Sequence, residues 1–278
     1  MSDYEFVNVL ERASVQDYLE LFRKAYCAND KLTAAYVEWL YEANPHGTAV
    51  GVDAFQDGVL AAHYVTIPRL YNVGGEKLNG LLSVNTATHP EHQRRGLFTR
   101  LAEETYSRAE AAGYRFVVGV ANANSIHGFR TKLGFDTLGQ IRLAMWRQPP
   151  QYPGRPTLDM DADWLRWRLS NPSRAYFLTP GGVGQSVVNT TQSRACFSLG
   201  RVADSDLAAS GLTLPRKELR GPVCLTPVFP TTGKAAGKGP FLPQRLSPSP
   251  WHVILRDLGD RNDALRDLCF TGLAMDTF

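Results

Sequence analysis

Residues 81–112, LLSVNTATHPEHQRRGLFTRLAEETYSRAEAA, decide the fold. Leu82, Val84, Thr86 and Thr88 recur at every second position, the period of a strand half-buried in a sheet. His89-Pro90 ends that strand, because proline cannot donate to a ladder and forces its predecessor out of helical geometry. After Gln93-Arg94-Arg95-Gly96-Leu97-Phe98 the period changes. Phe98, Leu101, Ala102, Thr105, Ala109 and Ala112 fall on one face of a helix, with Gly113 as its stop. A polar, basic turn that feeds a helix N-terminus is suited to an anion. Free backbone N–H groups point out of the first turn, the macrodipole favours negative charge, and Gly96 admits close approach of a ligand. The ligand expected is a phosphate or pyrophosphate, with Arg94 and Arg95 supplying fixed positive charge.

Outward from this stretch, Tyr4–Leu10 reads as a first strand, and Ser14 with Asp17 opens a helix running to about Tyr26. Leu32, Ala35, Tyr36, Trp39, Leu40 and Ala43 keep helical spacing until Asn44-Pro45-His46-Gly47 stops it; Trp39 and Tyr41 are read as core, with substrate contact as the other reading. Thr48–Phe55 and Val59–Ile67 are strands joined through Asp57-Gly58, a hairpin signal. A fifth strand runs from Phe116 to Val120, and a sixth and seventh lie between Phe135 and Trp146, where the first sheet is read as complete. The class is α+β.

Gln148–Pro156 is rich in proline and marks a linker, taken as 149–160 between a first domain at 1–148 and a second at 161–278. In the second, Asp163-Trp164-Leu165-Arg166-Trp167-Arg168-Leu169-Ser170-Asn171-Pro172 echoes Glu38-Trp39-Leu40-Tyr41-Glu42-Ala43-Asn44-Pro45, an aromatic helix ended by Asn-Pro and followed by strands. Those strands are expected at Ala175–Thr179, Ser186–Thr190, Ala195–Val202, Pro222–Val228 and Trp251–Leu255, with Thr231–Pro250 a long exposed loop. Two glycine-rich runs carry no nucleotide motif. Gly233 to Gly237-Lys238 is one residue short of a P-loop with no Ser or Thr after the lysine, and Gly181-Gly182-Val183-Gly184 lacks a third dinucleotide-binding glycine.

Composition is that of a globular protein, with 44% apolar and 21% charged residues. A net charge of +3 does not suggest nucleic acid, and no apolar run is long enough to span a bilayer. The N-terminus lacks the pattern of a signal peptide, so the expected location is cytoplasmic. Cys27, Cys196, Cys224 and Cys269 are scattered without a C-x-x-C, so free buried thiols are expected and no metal site.

The order strand, Gln93-x-x-Gly96 turn, helix, strand Phe116–Val120 and then NANSIHGFRTKLGF (122–135) resembles the GNAT superfamily of acyl-CoA-dependent N-acyltransferases. Phe98 departs from the family pattern, standing where glycine or alanine is usual. The resemblance implies a mixed sheet splayed between the strands ending at Thr88 and Val120, with a degenerate GNAT-like second half. It also implies that acetyl-CoA or another acyl-CoA is held by Thr86, Ala87, Thr88, Gln93, Arg94, Arg95, Gly96, Leu97, Phe98, Thr99, Asn124 and Phe129. Asn124 is read both as pantetheine contact and as cap of the following helix. A primary amine would attack the thioester, and its proton must leave. Where the family often carries a glutamate, this chain has Ser83 and Asn85, and the tyrosine slot of the last helix holds Arg130. Asn85 and His127 are therefore the catalytic candidates, Asn85 to order a water and His127 as base, with His63 ranked below them. The expected acceptor is a small amine, a nucleotide-linked amino sugar in the narrower reading, its phosphates served by Arg166, Arg168 and Arg174 unless these form a solvated helix face. An aminoglycoside, polyamine or amino acid is the alternative acceptor, a non-catalytic acyl-CoA sensor or adaptor the alternative function, and a homodimer a candidate assembly.

Overall fold

The computed structural model describes residues 4–26, 32–145, 149–192, 195–218, 224–229, 240–243 and 250–275. Strands β1 (Glu5–Asn8), β2 (Val50–Gln56), β3 (Val59–Val73) and β4 (Glu76–Thr88) form an antiparallel meander. Asp57 and Gly58 turn β2 into β3 with φ of 52° and 80°, the primed geometry that matches strand twist. Strand β5 (Phe116–Ala121) then joins β4 in parallel, reached through the long helix α3 (Leu97–Ala111). The period-2 pattern of β4 sorts its side chains between two cores. Leu82 packs with Tyr18, Phe22 and Tyr41 from α1 (Val15–Ala25) and α2 (Ala34–Tyr41), whereas Leu81 packs with Leu101, Tyr106 and Ala109 of α3 on the opposite face. Ser14 and Asp17 cap α1 reciprocally, as the sequence indicates.

The first sheet is not complete by residue 146, and here the sequence reading is corrected. After α4 (Ile126–Lys132), strands β6 (Asp136–Gln140), β7 (Arg142–Ala144) and β8 (Thr157–Leu158) follow, then α5 (Ala162–Leu169), the three-stranded sheet of β9 (Tyr176–Gly182), β10 (Gln185–Gln192) and β11 (Ala195–Ala203), and α6 (Asp204–Ala209). Strand β12 (Thr226–Val228) pairs with β7, and β13 (His252–Asp257) inserts between β5 and β6. The sheet thus has eight strands in the order β1-β2-β3-β4-β5-β13-β6, with β8 added to β3. The apolar run Phe116-Val117-Val118 is wholly buried, as in an interior strand, and requires a partner on each edge. Val253-Ile254-Leu255 supplies the second, opposite Val120, Gly119 and Val118. The strand at Trp251–Leu255 was legible; its sheet was not.

The repeated Trp helices meet each other. The indoles of Trp39 and Trp167 stack with centroids 4.6 Å apart and 10° between planes. Each indole N–H donates to the other residue's carbonyl, at 2.8 and 2.9 Å. Both rings are buried, so Trp39 and Tyr41 belong to the core. Arg168 is also buried, contrary to a solvated or phosphate-binding face: it donates to the carbonyls of Leu273 and Met275 and to the Tyr176 hydroxyl. Arg166 bonds to the Ser210 carbonyl and Asp163. The expectation of free thiols fails for Cys196 and Cys224, which form a disulfide with Cα atoms 4.7 Å apart. The bonds from Leu225 N–H to the Cys196 carbonyl and from Ser198 N–H to the Leu225 carbonyl bring the two together, a contact no local spacing announces. Cys269 is free and buried; Cys27 lies outside the described residues, as does most of the loop expected at 231–250, including its lysine-glycine run. Among the described residues no helix is long and apolar enough to cross a membrane.

Candidate active site

The site lies where β4 and β5 part. They pair only from Gly80–Ser83 against Phe116–Gly119, and beyond Ser83 the β5-facing edge of β4 has no strand partner among the described residues. A bulge sharpens the parting: Val84 faces Val65 and Ala87 faces His63, so Asn85 and Thr86 share the position opposite Tyr64. Asn85 takes φ 45°, a left-handed conformation that asparagine tolerates better than most residues. From the end of α1, the Tyr26 hydroxyl donates to the Thr86 carbonyl at 2.5 Å, and burial raises its pKa well above the ordinary tyrosine range. That hydroxyl keeps its proton and fixes the bulge.

Beyond Thr88 the chain forms a short 3-10 turn, Pro90–His92, and then enters α3 through Arg94 at φ 62° and Gly96 at φ 75°. Gly96 is the N-cap and offers no side-chain cap. The first amide to bond back is that of Arg100, to the Gly96 carbonyl at 3.1 Å, which leaves the amides of Leu97, Phe98 and Thr99 without helical partners. A Cβ built on Gly96 would meet nothing within 4 Å, so the space before these amides is open. Three donors, a helix dipole and a positive-φ glycine make an anion cradle.

Thr86, Ala87, Thr88, Gln93, Arg94, Gly96, Leu97, Phe98 and Thr99 line a single cleft of about 380 Å³, joined by Ala25, Tyr26, His92 and Lys132. None of these lining residues is a carboxylate, and Arg94 and Lys132 make the cleft basic. Burial, then the neighbouring Arg95 charge, lowers the pKa of His92, which favours its neutral ring. Arg95 does not face the cleft; its guanidinium bonds to the Tyr4 hydroxyl at 3.1 Å and the Glu91 carbonyl at 3.0 Å. Phe129 lies beneath the cleft, its ring 5.2 Å from that of Phe98 and nearly perpendicular to it. The unusual Phe98 is accommodated by Gly128, where a Cβ would stand 3.3 Å from the Phe98 ring. Asn124 is exposed and does not cap α4: the Asn122 side chain accepts from the amides of Asn124 and Ser125 instead. His127 is exposed on α4 and is not among the cleft-lining residues.

Tyr26 and Lys132 were missed from sequence because each reaches the cleft from the far end of its helix, a tertiary relation with no local mark. His89 and His92 flank the phosphate turn in the sequence, where solvent or phosphate roles are expected of them; with Glu91 they form a cluster whose ligand atoms lie within 4.8 Å of one another. It is internally bonded: His92 Nδ1 is 2.9 Å from the Tyr4 hydroxyl, and His89 Nδ1 accepts from the Glu91 amide.

A splayed mixed sheet with an anion cradle at the helix following β4 defines an acyl-CoA-binding class of fold. Residues 7–137 match the family model described as acetyltransferase (GNAT) domain, so this part of the chain is a domain of that kind. It is therefore of the acyl-CoA-dependent N-acyltransferase kind, with an acyl-CoA as co-substrate. A probable N-acyltransferase from Enterococcus faecalis V583 is similar over 92% of this chain and 73% of its own, at 11% identity and a TM-score of 0.60. A GCN5-related N-acetyltransferase from Anabaena variabilis is similar over the same shares, at 11% identity and a TM-score of 0.58. Both likenesses run through the second half, so the two-part fold is shared. No protein of curated function matches.

Proposed function

We propose that the cleft between β4 and α3 holds the acyl-CoA, and that a small primary amine attacks its thioester where the two strands part. The observation that carries this reading is the convergence of the β4 segment Thr86–Thr88 with the open amides of 97–99 on one basic cleft. The diphosphate sits on the α3 N-terminus beside Arg94, and the pantetheine arm lies along the unpaired edge of β4 in the manner of an added strand. A main-chain N–H at 86–88 polarises the thioester carbonyl as the oxyanion develops. The amine arrives from the α1–α2 face. A nucleotide-linked amino sugar is the narrower acceptor proposal; with Arg168 and Arg166 occupied by protein partners, its phosphates would have to find other groups. The non-catalytic alternative draws on the absence of a carboxylate among the cleft-lining residues.

The test is acetyl-CoA binding by calorimetry together with CoA release, followed with a thiol reagent across sugar amines, aminoglycosides, polyamines and amino acids. Gly96→Val, a β-branched residue at φ 75°, is expected to weaken acetyl-CoA binding about tenfold or more, roughly 1.4 kcal/mol. Unchanged affinity would remove the cradle from the account. Saturable binding with no amine-dependent release would select the sensor.

A further inference from the structure

Behind the bulge, a chain of buried polar groups runs from β2 to Asn85, and no part of the function above uses it. Asp53 and His63 face each other across β2 and β3, both fully inaccessible, with His63 Nδ1 2.6 Å from one Asp53 oxygen. The other Asp53 oxygen accepts from the Tyr18 hydroxyl at 2.8 Å, and Tyr18 in turn accepts from the Leu10 amide. His63 Nε2 lies 2.9 Å from the Tyr41 hydroxyl, and the Asn85 amide nitrogen stands 3.4 Å from that same hydroxyl. The Asn85 carbonyl oxygen has no protein partner among the described residues. Aromatic rings of Tyr18, Phe22 and Tyr41 enclose the imidazole. Burying four polar side chains in a row is costly unless their polarity is consistent throughout.

Consistency allows one arrangement with a neutral imidazole. A carboxylate only accepts, so His63 carries its proton on Nδ1 and leaves a lone pair on Nε2. That lone pair takes the single proton of Tyr41, whose pKa burial drives well above the ordinary range, so the hydroxyl stays protonated. The Tyr41 oxygen then has only lone pairs to offer, and Asn85 must turn its NH₂ toward it. We propose that Asp53, His63 and Tyr41 are positioning residues that fix the flip of Asn85, so that its carbonyl oxygen faces the splayed strands and accepts an N–H of the attacking amine. This rests on the acyltransferase reading and assigns that reaction a group which orients the nucleophile one residue from Thr86. Asn85 takes no proton. It discriminates in favour of an N–H donor and aims the nitrogen lone pair at the thioester carbon.

The chain makes an unusual prediction. In Asp53→Asn the side chain at 53 can donate to Nδ1, so the imidazole proton moves to Nε2, Tyr41 donates to Asn85, and the amide flips to show NH₂ to the amine. Replacing Asn85 with Asp removes the consequence, because a carboxylate has no donor face to show; aspartate also tolerates the left-handed backbone at 85. The experiment uses the full chain, acetyl-CoA, and the amine from the panel above with the highest turnover. Long-range ¹H–¹⁵N spectra of histidine-labelled protein should show His63 as the Nδ1–H tautomer, shifting to Nε2–H in Asp53→Asn. The KM for the amine should rise about tenfold or more in Asp53→Asn with acetyl-CoA affinity unchanged, and return to within about threefold of wild type in Asp53→Asn/Asn85→Asp. Tyr41→Phe, which leaves the amide free to take either flip, should raise that KM by a smaller factor than Asp53→Asn, with the same rescue by Asn85→Asp, and serves if Asp53→Asn does not fold. An Nε2–H or doubly protonated ring in the wild type, or failure of Asn85→Asp to rescue either variant, would overturn the proposal. Failure of the acyltransferase reading itself would appear separately, as wild-type protein that does not bind acetyl-CoA or that binds it without turning over any panel amine.

Discussion

The two halves of this chain begin alike and end differently. Each has an aromatic helix, α2 or α5, followed by an Asn-Pro pair and an antiparallel three-strand run, β2-β3-β4 or β9-β10-β11. After β4 comes a positive-φ glycine and a helix of 15 residues that crosses over to a parallel strand. After β11 comes a helix of six residues, α6, and β11 then meets the returning chain in parallel through the single bridge Phe197–Leu225. A splay requires two parallel strands that share only part of their length, and an anion cradle requires a long helix entered from the strand end. The first half has both requirements. The second keeps the sheet but, among the described residues, has a helix of only six residues after β11 and a parallel contact of a single bridge, and it lends β13 to its neighbour. The comparison teaches that chemistry here depends on the connection after the third strand of the repeat, more than on the repeat itself.

The strongest way to break that comparison is to separate the halves. A chain ending at residue 148 lacks β13, leaving the apolar strand β5 with a bare edge where Val253–Leu255 belongs. We expect it to be insoluble or molten, with no cooperative thermal transition in circular dichroism; a folded fragment that binds acetyl-CoA would show that the first half stands alone. Next in size is reduction of Cys196–Cys224, which closes a loop with a sequence separation of 28. Chain-entropy arguments put its contribution at about 3–4 kcal/mol. Dithiothreitol should lower Tm by several degrees yet leave acetyl-CoA affinity unaltered, since neither cysteine lines the cleft; a parallel loss of affinity would couple the halves more tightly than the geometry indicates.

Smaller effects sharpen the picture within the first half. Tyr26→Phe removes the donor to the Thr86 carbonyl and should weaken acetyl-CoA binding about two- to fivefold, with little change in Tm, given a net hydrogen-bond contribution near 1 kcal/mol. An unchanged affinity would mean the bulge holds its shape without that hydroxyl. The smallest effect concerns His46, whose pKa is lowered chiefly by burial and then by Arg69. Its Nδ1 accepts from the Leu70 amide at 3.2 Å, which favours the neutral ring. Because the folded pKa lies below the unfolded one, the unfolded chain binds the proton first. His46 therefore lowers stability as pH falls through about 6.5, and not above it. Acidification from pH 7.5 to 5.5 should lower Tm by about one or two degrees more in wild type than in His46→Gln; equal shifts would show that other groups set the acid limb.

Much of the first half was legible because its marks are local. The alternation in β4, Asp57-Gly58 at the hairpin, the Ser14–Asp17 cap and Gly96 before α3 each act within a few residues, and each stands where the sequence places it. The cleft followed from the order of those elements. What stayed hidden was tertiary. The donation of β13, the pairing of Cys196 with Cys224, the burial of Arg168 under Leu273 and Met275, and the reach of Tyr26 to Thr86 join residues far apart in the chain. His63 shows the same limit: a lone histidine in a hairpin carries little information until Asp53 and Tyr41 are seen on either side of its ring.

Strand β13 also sets a schedule for biosynthesis. The segment that flanks β5 leaves the ribosome more than a hundred residues after β5 itself, so the nascent first half must wait with an apolar edge uncovered. Until residue 257 has emerged, that edge is open to chaperones or to neighbouring nascent chains, and acyl transfer cannot begin before β13 has taken its place beside β5.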